Sequence, residues 1–188
     1  MKLARYFLLT LTACLFLQTG CTTALKEGAS AAFGPKGAYL QSETPDLGGK
    51  GTPSLRKYNS FSVGRVTVDP KFTGFGGVMP SLVVNNLEPE IIHELRKKDI
   101  PTGKSANGVT INVNLFYYEG AGAKGIIFGN VEEVLAAVTL VDNRTGQIIG
   151  RAICVGRSTS RVNLGTEKKV EGLAHGIVRW IESHYPKK

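Results

Sequence analysis

Gly120-Ala121-Gly122-Ala123-Lys124-Gly125 matches G-x-G-x-x-G, the spacing that lets a glycine turn approach a dinucleotide pyrophosphate. That chemistry also needs a helix opening at the glycines, so that its N-terminus meets the phosphates. Here Ile126-Ile127-Phe128-Gly129-Asn130 follows, then a strand pattern, and Asp142 about 20 residues on falls in a hairpin turn. The glycines therefore read as a strand-to-strand loop, and no cofactor is expected. His93, His175 and His184 show no metal-ligand spacing, and His93-Glu94 lacks the second histidine of a zincin helix. They read as solvated histidines on helix surfaces, with no metal expected. No serine sits in G-x-S-x-G. Glu132-Glu133 opens a strand, where adjacent side chains point to opposite faces and make a poor acid/base pair. No catalytic residue is assigned, and the chain is not expected to be an enzyme.

One thiol does carry a chemical expectation. Lys2 and Arg5 precede the apolar run Tyr6 to Leu17, which Thr19-Gly20 closes ahead of Cys21. A positive stretch, a short apolar stretch and a small-residue cleavage site make up the secretory signal pattern. The run is shorter than the ~20 apolar residues of a membrane-spanning helix. Leu17-Gln18-Thr19-Gly20-Cys21 resembles the lipobox of bacterial lipoproteins, with Gln18 where that family usually carries leucine. The resemblance implies a diacylglycerol on the Cys21 thiol and an acylated amine after cleavage before it. Cys14, in Leu11-Thr12-Ala13-Cys14, is the rival acceptor, but cutting there leaves a very short apolar run. A plain signal peptide cut after Thr22-Thr23-Ala24 is the third alternative, and it yields a soluble periplasmic protein. Thr22 is not the Asp that marks inner-membrane retention in related lipoproteins, so outer-membrane residence facing the periplasm is expected.

Removing residues 1–20 leaves 168 of the 188 residues, enough for one domain with its own core. Lys2 and Arg5 go with them, so the formal charge falls from +8 to +6. That balance favours anionic partners outside the cytoplasm, such as lipid headgroups or anionic polysaccharide. Nucleic acid is not expected, because the cations are scattered rather than clustered. Cys154 would be the one thiol left, and a single thiol makes neither an internal disulfide nor a zinc site. In Ala152-Ile153-Cys154-Val155 it reads as a small buried hydrophobe.

Residues 21–59 show no sustained period and are rich in Gly, Pro, Ser and Thr, which reads as a lipidated flexible tether. Its coil reach is ~30–35 Å. Residues 60–188 read as one domain. Phe61 to Asp69 is β-rich and ends at Pro70. Val83, Leu87, Ile91 and Leu95 recur every four residues, which predicts a helix over 81–98, kinked or started near Pro89. Val109, Ile111, Val113, Leu115 and Tyr117 alternate with polar or outward residues up to Tyr118, as do Val134, Ala136, Val138 and Leu140. Asp142-Asn143-Arg144-Thr145-Gly146 then turns the chain into Gln147-Ile148-Ile149. Val170, Leu173, Ala174, Ile177 and Ile181 predict a last helix over 166–184. The expected fold is α+β, in the order β-α-β-β-β-α, with two helices on one face of a mostly antiparallel sheet.

The phrase Leu140-Val141-Asp142-Asn143-Arg144-Thr145-Gly146-Gln147-Ile148-Ile149 resembles the D-x-x-T-G hairpin of small periplasmic lipoprotein domains. Those are similar to the N-terminal domain of the TolB translocation protein. They include activators of penicillin-binding proteins and lipoproteins of curli and exopolysaccharide export. The likeness covers about residues 61–185. It implies a scaffold, an oligomeric ring or a partner activator in the envelope, and carries over no catalytic residue. The expectation is a non-catalytic outer-membrane lipoprotein that binds an envelope protein or forms a homo-oligomer. The alternatives are an enzyme acting on cell-wall material and a soluble periplasmic ligand binder. Lys124, Ile126, Ile127 and Phe128 form the candidate contact loop, since exposed apolar patches mark docking sites. The competing reading has Ile126-Ile127-Phe128 folded back over the core.

Overall fold

A computed structural model of the chain describes residues 36–43, 55–71, 80–118, 132–158 and 166–185. The elements in chain order are β1 (Lys36–Glu43), β2 (Phe61–Val68), α1 (Pro80–Lys97), β3 (Val109–Tyr118), β4 (Glu132–Asp142), β5 (Ile148–Ser158) and α2 (Thr166–His184). A single 3-10 turn, Leu55–Lys57, precedes β2. The strands form one sheet in the order β1-β5-β4-β3-β2. Only β2 and β3 run parallel, since α1 carries the chain back between them; the other pairs are antiparallel. The α+β class expected from the sequence is the one observed.

Both helices cover one face of the sheet. Val83, Leu87, Ile91 and Leu95 of α1 are fully buried, as are Leu173, Ala174, Ile177 and Ile181 of α2. They meet Val109, Ile111, Val113 and Leu115 of β3 and Val134, Ala136, Val138 and Leu140 of β4 in a single core. The period-2 and period-4 patterns thus find each other across the layer. The helices run parallel, because Glu94 meets His175 and, further along both helices, Lys98 meets Glu182.

Three expectations are corrected. Strand β1 and the Leu55–Lys57 turn lie within 21–59, the span read as a tether. Leu55 and Tyr58 are buried in the core, so the domain starts well before Phe61. The strand is hard to read because its anchoring residue has no side chain. A Cβ on Gly37 would overlap the backbone of Gly172 and Gly176, and one on Gly156 would overlap the backbone of Lys169 and Leu173. Backbone therefore meets backbone where α2 crosses β1 and β5, and no hydrophobic alternation advertises the contact.

The second correction concerns β3. A bulge between Leu115 and Tyr117 shifts the register against β4, so side-chain parity flips. Tyr118 is then buried and Tyr117 exposed, opposite to strict alternation. The third concerns Pro89, which lies inside a helix running from Pro80 to Lys97, so the helix does not start there. Proline removes one hydrogen bond, to the carbonyl of Asn85. Asn85 and Pro89 both face solvent, where water can take that carbonyl's place as partner.

Candidate functional site

The hairpin phrase that suggested a family turns out to hold itself together. The Asp142 carboxylate accepts hydrogen bonds from the backbone N–H of Arg144 at 2.8 Å and of Thr145 at 3.1 Å. Gly146 has φ 69° and donates its N–H to the Asp142 carbonyl at 2.8 Å. That left-handed residue is where glycine is favoured. The other Asp142 oxygen accepts the Tyr58 hydroxyl at 2.9 Å, which ties the segment before β2 to the hairpin. Burial works against ionisation of Asp142, but Tyr58 and the two backbone donors outweigh it and hold the pKa below the usual value. The motif is structural.

Beside this hairpin, on the face of the sheet opposite α1 and α2, lies an open groove of about 710 Å³. Ser62, Thr110, Asn143, Ser105 and Lys104 line it. Ser62 and Thr110 point into it because their neighbours Phe61, Val63, Val109 and Ile111 point to the core. The polar groups are fixed in place by one another. Thr110 donates to Asn143 Oδ1 at 2.7 Å, Asn143 Nδ2 donates to the Ser105 carbonyl at 2.8 Å, and Ser62 Oγ sits 3.5 Å from Thr110 Oγ1. Hydroxyls with a neighbouring lysine suit a polyhydroxylated or anionic ligand.

A second polar cluster lies between the helices. The Glu94 side chain of α1 is 1% exposed and faces α2. Its Oε1 pairs with Lys97 Nζ at 2.5 Å, and His175 Nε2 lies 2.8 Å from its Oε2. The His175 contact is close but poorly aligned, so Oε2 has no hydrogen-bond donor. The Glu94 hydrogen bond leads the causes that raise the Lys97 pKa. Lys168 pairs with Glu171 at 2.7 Å in the next turn, and that bond likewise raises its pKa. Ligand atoms of Glu90, His93 and Glu94 lie within 4.8 Å of one another. Further along α2, the buried Lys169 donates to Tyr118 Oη at 2.5 Å, its Nζ 4.1 Å from the ring centroid.

Cys14, Cys21 and the contact loop of Lys124, Ile126, Ile127 and Phe128 lie outside the described residues. Cys154 is a free, buried thiol in the core, and burial pushes its pKa far up. The histidines do lie on helix surfaces, but His175 is not simply solvated, because it faces a buried carboxylate. Sequence reasoning missed that cluster, Lys169 and the groove. Glu94 has one cue, since it adjoins the core position Leu95 on a helix whose apolar stripe is wider than every fourth residue.

No protein-family model matches the sequence, and no curated protein matches it. Among solved structures, the PelC dodecamer from Paraburkholderia phytofirmans is similar at 12% identity and TM-score 0.46, covering 80% of this chain and 99% of that one. The hypothetical protein CT253 from Chlamydia trachomatis is similar at 13% identity and TM-score 0.39, covering 66% and 98%. Lipoprotein GNA1162 from Neisseria meningitidis is similar at 12% identity and TM-score 0.36, covering 65% and 99%.

Proposed function

We propose that this chain is an exported lipoprotein, acylated at Cys21 and held in the outer membrane. Its domain works by binding an envelope partner or a second copy of itself rather than by catalysis. The observation that carries this reading is the order Lys2/Arg5, apolar run, Thr19-Gly20-Cys21 at the N-terminus. Two or three acyl chains at one cysteine make a stable anchor, because each buried methylene contributes ~0.8 kcal/mol. Among the described residues, several groups suited to nucleophilic or acid/base work are engaged within the fold. Cys154 is held as a buried thiol, and Asp142, Glu94, Glu133 and Glu171 are each hydrogen-bonded or ion-paired within the fold. The finer kinship with TolB-like domains rests on Asp142, Thr145 and Gly146.

The chain from Cys21 enters β1 at Lys36, which pairs with Arg157 at one end of the sheet. The Ser62–Thr110–Asn143 groove lies at the other end of the sheet, where an anionic polysaccharide or a partner loop could reach it. Mass spectrometry of the mature N-terminus tests the anchor directly. The expected result is a diacylglyceryl, N-acylated Cys21, with Cys21→Ala blocking processing and Cys14→Ala leaving it normal. An unmodified start at Leu25 would overturn the lipoprotein reading and leave a soluble periplasmic binder. Fractionation with the inner membrane would overturn the outer-membrane assignment alone.

A further inference from the structure

The cluster between the helices holds more than a surface ion pair. Glu94 is nearly wholly buried, and its Oε2 has no hydrogen-bond donor although His175 Nε2 stands 2.8 Å away. A buried carboxylate oxygen left in this state is destabilising, and native structures rarely keep one without a reason. The imidazole nitrogen and the carboxylate oxygen approach each other from two helices without the alignment of a hydrogen bond. Glu90 and His93 bring two further donor atoms within 4.8 Å of each other and of a Glu94 oxygen, and His175 stands beside that trio through its contact with Glu94.

We propose that Glu90, His93 and Glu94 of α1, with His175 of α2, form a zinc-binding site that clamps the two helices together. Two imidazole nitrogens and two carboxylate oxygens suit zinc, which accepts mixed nitrogen and oxygen ligands tetrahedrally at ~2.0–2.2 Å. Calcium and magnesium prefer all-oxygen sites. Neighbouring ligands around such an ion stand ~3.3 Å apart. His93 is exposed, Glu90 half-buried and the His175 side chain 42% exposed, so all three can adjust, while Glu94 is fixed by burial. The charges permit a dication. Glu90, Glu94, Glu167 and Glu171 face Lys97 and Lys168, which leaves two net negative charges among the carboxylates and lysines. Lys97 occupies Glu94 Oε1, so Oε2 remains for the metal. No linear spacing announces the site, because its two histidines come from helices at opposite ends of the domain sequence. It does not depend on the anchor at Cys21.

The test uses the full chain in detergent, stripped with a chelator, dialysed, and titrated with zinc chloride by calorimetry. Cobalt(II) absorption in the visible range reports coordination geometry. The expected result is one saturable zinc per chain, a zinc-dependent rise in melting temperature, and a tetrahedral cobalt spectrum. His93→Ala and His175→Ala should each weaken zinc at least ten-fold, and the double variant should abolish binding. The metal-free melting temperature should hardly move, because His93 is exposed and the 42% exposed His175 side chain lies outside the core. His93→Gln and His175→Gln provide a second pair should an alanine variant misbehave. Absence of saturable zinc binding would overturn the proposal, as would full binding by the double variant, which would place the metal elsewhere. An equal response to calcium would overturn the assignment to zinc.

Discussion

Helix α2 is held on two sides by opposite means. Toward β1 and β5 it offers Gly172 and Gly176, and the strands answer with Gly37 and Gly156, so main chain rests on main chain. Toward α1 it offers His175, Lys168 and Glu171 to Glu94 and Glu90 across a charged seam. The dry seam is steric and independent of pH and salt. The polar seam is titratable and adjustable.

Several substitutions could break that contrast. Leu173→Ala removes a fully buried side chain from the α2 core face and should cost ~2–5 kcal/mol in chemical denaturation. A loss under about 1 kcal/mol would mean that α2 is not packed as described. Gly37→Val should come next, at the upper end of the ~1–3 kcal/mol typical of overpacking, because the clashing atoms are backbone and cannot swing aside. Limited proteolysis should then cut ahead of Phe61 much faster than in the parent chain.

The hairpin offers a pH-sensitive control outside both seams. Tyr58→Phe removes a hydrogen bond to an ionised carboxylate, worth ~1.5–3 kcal/mol. The folded Asp142 pKa lies below its unfolded value, so the unfolded chain binds the proton more tightly. Stability from this group is complete above the ordinary carboxylate pKa and disappears as pH falls through the folded one. The gap between parent and Tyr58→Phe should therefore be constant near neutrality and narrow below about pH 4. A gap that widened in acid would reverse the sign assigned here.

On the polar seam the prediction is an asymmetry. Lys97→Ala leaves Glu94 buried with a partner removed and should cost ~1–3 kcal/mol. Glu94→Gln should cost less, since Lys97 is half exposed and water can take over as its partner. Equal costs would contradict the burial of Glu94. Smallest of all, Lys168→Ala should change stability by ~0.3–0.5 kcal/mol and lose even that at high salt, since both partners of the pair are solvated.

The sequence by itself determined the α+β class, the antiparallel hairpin at Asp142–Gly146, and most of the core. Those features follow from short-range periodicity and turn chemistry, and Val109, Ile111, Val134, Ala136, Leu173 and Ile177 obey it without exception. Tertiary structure alone decided the rest. Strand β1 exists because glycines distant in sequence let backbones touch, and an absent side chain leaves no pattern to read. The bulge after Leu115 exchanged Tyr117 for Tyr118 in the core, because one extra residue reverses every later side chain. The groove and the Glu94–His175 cluster join groups from separate elements, and proximity across a layer has no period along the chain.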